Sequence, residues 1–320
     1  MWRGHAFGLH LQSPVEIETL SPSGGTEATA PVGWNRIESR DGLPWNGDAT
    51  RLVDYRFPDG SSMMSIDVDG GGAYLVEAPG YGAHVVSSDG TEITSLLAPG
   101  AGWEWQRLFA AQALPLAAAI RGLEPVHASA VSVEGRAVAL SAPSGTGKTS
   151  LVMHLVAGGA PLITDDVLAI ELTPAGLVGH PGARLLNADR RELATLAEGR
   201  ERLGDVLGED DKVYLRPPLA PEPLPLAALY RPVRRSGAGE VEITEEVPPD
   251  PRSVLGTSFL RYLSSPQTLT RRLELMALLA RRVRVFSVAI PEGVTAAQTA
   301  AQIADHAGCV VRENLNGRPG

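Results

Sequence analysis

Cysteine is nearly absent: Cys309 is the only one, which excludes an intrachain disulfide and a thiolate metal cluster. No apolar run approaches the roughly 18–20 residues of a membrane span. Met1–Leu20 also lacks the basic segment and continuous apolar stretch of a secretory signal. These absences lead us to expect a cytoplasmic chain with no membrane partner. Positive charge is in deficit too, with 28 Lys and Arg against 37 Asp and Glu, a net charge of −9. Backbone binding to nucleic acid needs a basic surface, so nucleic acid is not an expected partner. The clusters Arg231–Arg235 and Arg281–Arg284 read as solvated surface arginines.

The chain has 320 residues, 43% of them hydrophobic, enough for two domains with a sizeable core. No internal repeat is visible. The first third reads as β, with strands expected at Leu52–Phe57, Ser62–Val68, Ala73–Glu77 and Gly82–Ser87. Asp59-Gly60 and Asp89-Gly90 mark turns, because both residue types tolerate positive φ. Ser21–Asn46, rich in Gly, Pro, Ser and Thr, reads as a loop. Apolar spacing predicts a helix over Trp103–Arg121. From His127 the pattern changes to strands at Ala128–Val133, Arg136–Ser141, Pro161–Ile163, Val167–Leu172, Val241–Val247 and Val283–Ala289. Helices alternate with them, to about Ala157, at Ser253–Leu263, at Leu269–Arg282 and at Thr295–His306, the last capped by Thr295. Glu192–Lys212 reads as charged and helix-prone, and the tail from Asn314 as frayed. The reading is α/β, with a β-rich domain over 1–122 that serves substrate recognition or as a scaffold, and an α/β domain over 123–320.

Three features in the second domain carry chemistry. Ala142-Pro143-Ser144-Gly145-Thr146-Gly147-Lys148-Thr149 has Walker A spacing, with Ala142 where the first glycine usually stands. Small residues let backbone N–H groups face phosphate oxygens, and the helix that follows adds the positive end of its dipole. Ser144, Gly145, Thr146, Gly147, Lys148, Thr149 and Ser150 are therefore the candidate nucleotide contacts. Lys148 would reach the β and γ phosphates, and the Thr149 hydroxyl would sit on Mg²⁺. An ordinary glycine turn would explain the glycines but not the Lys-Thr pair after them. The second feature, Asp165-Asp166, follows one helix and one turn after Lys148. Paired carboxylates at a strand end can hold Mg²⁺ and accept a proton from a hydroxyl. The similar pair Asp210-Asp211 lies in a polar loop and reads as a solvated turn. His127, at a strand start, is the third feature, while His154 reads as a packing residue.

Together, His127-Ala128-Ser129-Ala130-Val131, the loop Ser141–Thr149 and Gly159–Asp166 resemble the HPr kinase/phosphorylase catalytic domain. The histidine stands 21 residues before Lys148 and the aspartates 17 and 18 after it, spacings that match the family pattern over Val126–Leu172. The N-terminal third looks like that of shorter HPr-kinase-like proteins. The resemblance implies a P-loop fold shared with phosphoenolpyruvate carboxykinases. It also implies Asp166 as catalytic base, Asp165 with Thr149 on the metal side, and catalytic roles for Lys148 and His127. The glutamate of the family's Glu-Ile-Arg-Gly segment is missing near Gly182-Ala183-Arg184-Leu185, where Arg184 is the surviving arginine. HPr itself is therefore not the expected acceptor.

The expected function is an ATP- and Mg²⁺-dependent kinase acting on a hydroxyl, that of a serine or threonine in a peptide or protein. A small-molecule hydroxyl is the alternative acceptor, and a nucleotide-gated binding protein without transfer is the rival class. An ATPase motor fits less well, since no arginine-finger or sensor segment is visible. Homo-oligomerisation is left open.

Overall fold

The computed structural model describes residues 1–23, 30–143, 145–250 and 254–315. It is a mixed α/β structure rich in strands, and it separates into two compact units, Met1–Leu123 and Glu124–Gly320.

The first unit is built on one nine-stranded sheet. In chain order its strands are β1 (Trp2–Ala6), β2 (Leu9–Ser13), β3 (Ser21–Pro22), β4 (Val32–Ile37), β5 (Ala49–Arg56), β6 (Ser62–Asp69), β7 (Tyr74–Ala78), β8 (Gly82–Val86) and β9 (Glu92–Leu97). They lie in the order β3-β1-β2-β4-β9-β8-β7-β6-β5. The four expected strands are β5 to β8, and their edges shift by a few residues. The Ser21–Asn46 loop needs correction, since Val32–Ile37 is a strand seated parallel between β2 and β9. Its drive is burial: Val32 and Trp34 are both within the core, on the one face that alternation gives them. The predicted helix at Trp103–Arg121 forms as α1 (Trp105–Leu108), a π-helical turn (Phe109–Ala113) and α2 (Leu114–Ile120). It brings Trp105 into a stack on Trp34 at 5.3 Å between ring centroids, with Phe109 edge-on at 6.3 Å.

The second unit has a central sheet from β10 (Glu124–Val126), β11 (Ser129–Val133), β12 (Arg136–Leu140), β13 (Leu162–Thr164), β14 (Leu168–Thr173), β15 (Gly176–His180), β19 (Leu224–Arg235), β20 (Glu242–Glu245) and β21 (Arg284–Pro291). A small separate sheet holds β16 (Leu186–Asp189), β17 (Asp205–Glu209) and β18 (Lys212–Arg216), ordered β16-β18-β17. The helices are α3 (Lys148–Ala157), α4 (Arg190–Thr195), α5 (Pro266–Arg282) and α6 (Ala296–Leu315). Alternate residues of β12 divide between two cores. Val138 and Leu140 pack with α3 and α6, whereas Ala137 and Ala139 pack on the α5 side with Leu275, Met276 and Leu279. Helices on both faces of a sheet with parallel central pairs make an α/β layering.

Three further expectations are revised. Over Ser253–Leu263 only Val254 and Leu255 are helical, and Ser253 lies outside the described residues. The backbone there turns to pair with β10, Phe259 N–H donating to Pro125 and His127 N–H to Thr257. Within Glu192–Lys212 the helix ends at Thr195, and a 3₁₀ turn and β17 follow, because Leu203 is buried against the α3 core. At the C-terminal end α6 continues past His306 to Leu315, since Ala307, Val310 and Val311 prolong its buried face. The rest of the expected frayed tail, 316–320, lies outside the described residues. No helix of the described residues is long and apolar enough to cross a membrane.

Candidate functional site

Strand β12 is buried from Ala137 to Leu140 and delivers the chain into the glycine loop, after which α3 begins at Lys148. Gly145 and Gly147 hold φ of 82° and 98°, left-handed values that side-chain-bearing residues rarely adopt. Gly147 caps α3 without any side-chain hydrogen bond, so the first-turn N–H groups have no capping side chain and are placed for an anion. Leu151, Val152, Leu155 and Val156 pin the helix into the core, which fixes its N-terminus in place.

Lys148 is 7% exposed. Its Nζ donates to Asp166 Oδ1 at 3.1 Å and lies 3.2 Å from His127 Nε2. His127 Nδ1 is 3.4 Å from the same carboxylate, and its ring stacks on Phe259 at 6.1 Å. Burial first, then the Lys148 charge, lower the His127 pKa against a smaller opposing pull from Asp166. His127 is thus a neutral hydrogen-bonding group at neutral pH rather than a second cation.

The two aspartates face different partners. Asp165 accepts from Ser129 Oγ at 2.7 Å, Thr149 Oγ1 at 3.3 Å and the Asn187 N–H at 3.3 Å. Burial raises its pKa, with help from the neighbouring Asp166 charge. Asp166 instead turns toward Lys148 and His127, from a backbone φ of 71°. Aspartate is among the few residues that tolerate this region, and such outliers cluster at functional sites. Ser129 links the pair: its hydroxyl donates to Asp165 and accepts the Asp166 N–H at 3.0 Å.

His127, Gly145, Gly147, Lys148, Thr149, Ser150 and Asp166 line one cavity of about 460 Å³, together with Pro143, Asn187, Asp189 and Lys212. Asp165 and Thr146 do not line it, and Ser144 lies outside the described residues. The Ser150 hydroxyl is taken by Glu192, which also meets His154 Nε2 at 3.3 Å. A larger cavity of about 610 Å³ lies on the first unit, but the charges around it are met by ion pairs such as Arg51–Asp67 and Arg56–Asp54. The smaller cavity is the one that joins the glycine loop, Lys148, His127 and Asp166.

No protein-family model and no curated protein matches the chain. Among solved structures it is similar to the HPr(Ser) kinase/phosphatase from Coxiella burnetii, at 13% identity over 61% of this chain and 99% of that one, with a TM-score of 0.29. A likeness that loose carries no assignment. The geometry has to carry it.

Mg²⁺ takes hard oxygen ligands, typically one or two carboxylates completed by water and phosphate oxygens. Among the described residues no cluster of three or more His, Cys, Asp or Glu could hold a metal, so an all-protein cage is absent. The Thr149 hydroxyl lies 3.3 Å from Asp165 Oδ1, however, the Asn187 N–H donates to the same carboxylate, and the buried Asn187 Oδ1 has no hydrogen-bond partner. Thr149 and Asn187 line the cavity with the Asp165 carboxylate directly behind them, and these hard oxygens fit Mg²⁺ completed by water and phosphate. Sequence reading missed Ser129, Asn187, Glu192 and Phe259 in these roles. Only Ser129 left a signal, two residues after His127.

Proposed function

We propose that this chain is an ATP-dependent phosphotransferase that moves the γ-phosphoryl group to a hydroxyl of a peptide or protein. The observation that carries the reading is the contact set Lys148–Asp166–His127 at the mouth of a glycine loop and a helix N-terminus. A general base, a buried ammonium and backbone donors converge there on one cavity.

Lys148 would neutralise the β and γ phosphates, with the loop N–H groups around them. A phosphate drawing Lys148 toward itself leaves the half-exposed Asp166 carboxylate free to accept a proton. The acceptor hydroxyl oxygen then bonds to the γ-phosphorus, the bond from that phosphorus to the β–γ bridging oxygen breaks, and ADP leaves. Asp166 takes the hydroxyl proton. Neutral His127, oriented by Phe259 and by its backbone bond to Thr257, keeps a hydrogen bond on this carboxylate or on the transferred group. Thr149, Asp165 and Asn187 would hold Mg²⁺, which when bound supplies charge neutralisation at the phosphates. Lys212, which also lines the cavity, would steady an acidic or phosphorylated acceptor.

Calorimetric titration of ATP with Lys148→Ala is the test. We expect weakened binding and no transfer, and wild-type affinity and turnover in this variant would end the reading. Purified HPr incubated with the chain and Mg-ATP should stay at its unmodified mass.

A further inference from the structure

The three arginines near the end of β19 differ in how their charge is met. Arg231 Nη1 donates to both oxygens of Glu246 at 2.7 and 2.9 Å. Arg235 makes two bonds to Glu242 at 3.0 and 3.2 Å. Arg234, exposed between them, has no carboxylate partner among the described residues. Strand alternation puts it on the face opposite to Arg231 and Arg235. On that face its Nη2 lies 3.4 Å from where a Cβ on Gly147 would stand. The guanidinium is therefore against the loop backbone, one residue before Lys148.

Strand pairing explains how it gets there. The last β12 residue, Leu140, is opposite Tyr230. Beyond Tyr230, β19 continues for five more residues supported by β21. That overhang carries Arg234 past the end of β12 to the loop. A cation so placed stands at the residue that caps α3, beside the positive end of that helix. Asp166 answers Lys148, and no described carboxylate answers Arg234. A phosphate bound at the loop would give this exposed guanidinium a direct anionic partner.

We propose that Arg234 binds the polyphosphate of the nucleotide at Gly147, on a different side from Lys148, as a second phosphate-binding cation. Its planar fork suits two phosphate oxygens at once, which lysine could not match. The proposal rests on the phosphotransferase reading above.

The test is ATP affinity of the full chain, by calorimetry in the presence of Mg²⁺, for the wild type, Arg234→Ala, Arg235→Ala and Lys148→Ala. Arg234→Ala should weaken binding about 10- to 100-fold, the scale of one lost charge-assisted contact. It should also flatten the salt dependence. Arg235→Ala makes the same change in net charge but removes an arginine answered by Glu242, so it should bind as the wild type does. Wild-type affinity in Arg234→Ala, with Lys148→Ala weakened, overturns the role of Arg234 and leaves the nucleotide site standing. Equal losses in Arg234→Ala and Arg235→Ala would reduce the effect to general charge and overturn it as well. A wild-type chain that binds no ATP brings down both readings.

Discussion

The two units handle buried polarity in opposite ways, and their histidines show it best. His84, on β8 of the first unit, is fully buried among Trp34, Trp105 and Phe109. Its only charge-related adjustment is to stay neutral: burial lowers its pKa to about 3, and Ser95 satisfies Nδ1 at 2.7 Å. His127, in the second unit, is partly exposed and touches an ammonium and a carboxylate. One environment removes charge from the interior, and the other brings opposite charges together at a cavity wall. The first contributes a fixed packing unit, the second a set of groups whose protonation answers to a ligand.

The sharpest way to break this contrast is Asp166→Asn. It removes the proton acceptor yet keeps an αL-tolerant side chain of the same shape, so ATP should still bind while transfer falls about 10²–10⁴-fold. Single-turnover transfer beside ATP titration separates the two. Unchanged transfer in this variant together with loss in Asp165→Asn would exchange the roles of the aspartates.

Acid should act on the first unit next. An unfolded histidine near its ordinary pKa binds a proton between about pH 6.5 and 3 where folded His84 does not. Stability from His84 is therefore complete above pH 6.5 and lost as pH falls, by roughly 5 kcal/mol across that window. Thermal melts from pH 7 to 4 measure it, and His84→Phe should flatten the slope. A slope identical in the two proteins would remove His84 from the account.

Ser129→Ala comes third, because one hydroxyl serves both aspartates. We expect a loss in transfer of about 10- to 100-fold, the scale of an unsatisfied buried hydrogen bond, with a smaller change in ATP affinity. The smallest effect belongs to the surface pairs of the first unit. Arg51→Ala breaks the pair with Asp67 and should cost less than about 1 kcal/mol in a denaturant melt. A large loss there would mean that the pairs around the first unit's cavity do more than screen one another.

What the sequence made legible follows the range over which the information is written. The glycine loop and Asp165-Asp166 depend on short spacing and on residue types that few other local structures need, so they could be read directly. Strand β4 could not, since its glycine and its Pro- and Thr-rich approach imitate a loop while its partners β2 and β9 are distant in sequence. Helix propensity overstated Ser253–Leu263, where short turns are followed by backbone bonds from Phe259 to Pro125 and from His127 to Thr257. Asn187 and Glu192 reach the loop through β16 and α4, and nothing in their own neighbourhoods announces that contact. Lys212 lines the cavity through its pairing opposite Asp189 across β16 and β18, which local sequence does not show.

The left-handed backbone at Asp166 has an evolutionary consequence. Most replacements there would be resisted by the main chain, but asparagine is one of the few residues at ease in that conformation, and it lies a single nucleotide from aspartate. The mutation that silences the proposed base is thus among the easiest for the fold to accept. Descendants of this chain that keep the nucleotide cradle and abandon transfer, living on as binding proteins, are one base change away.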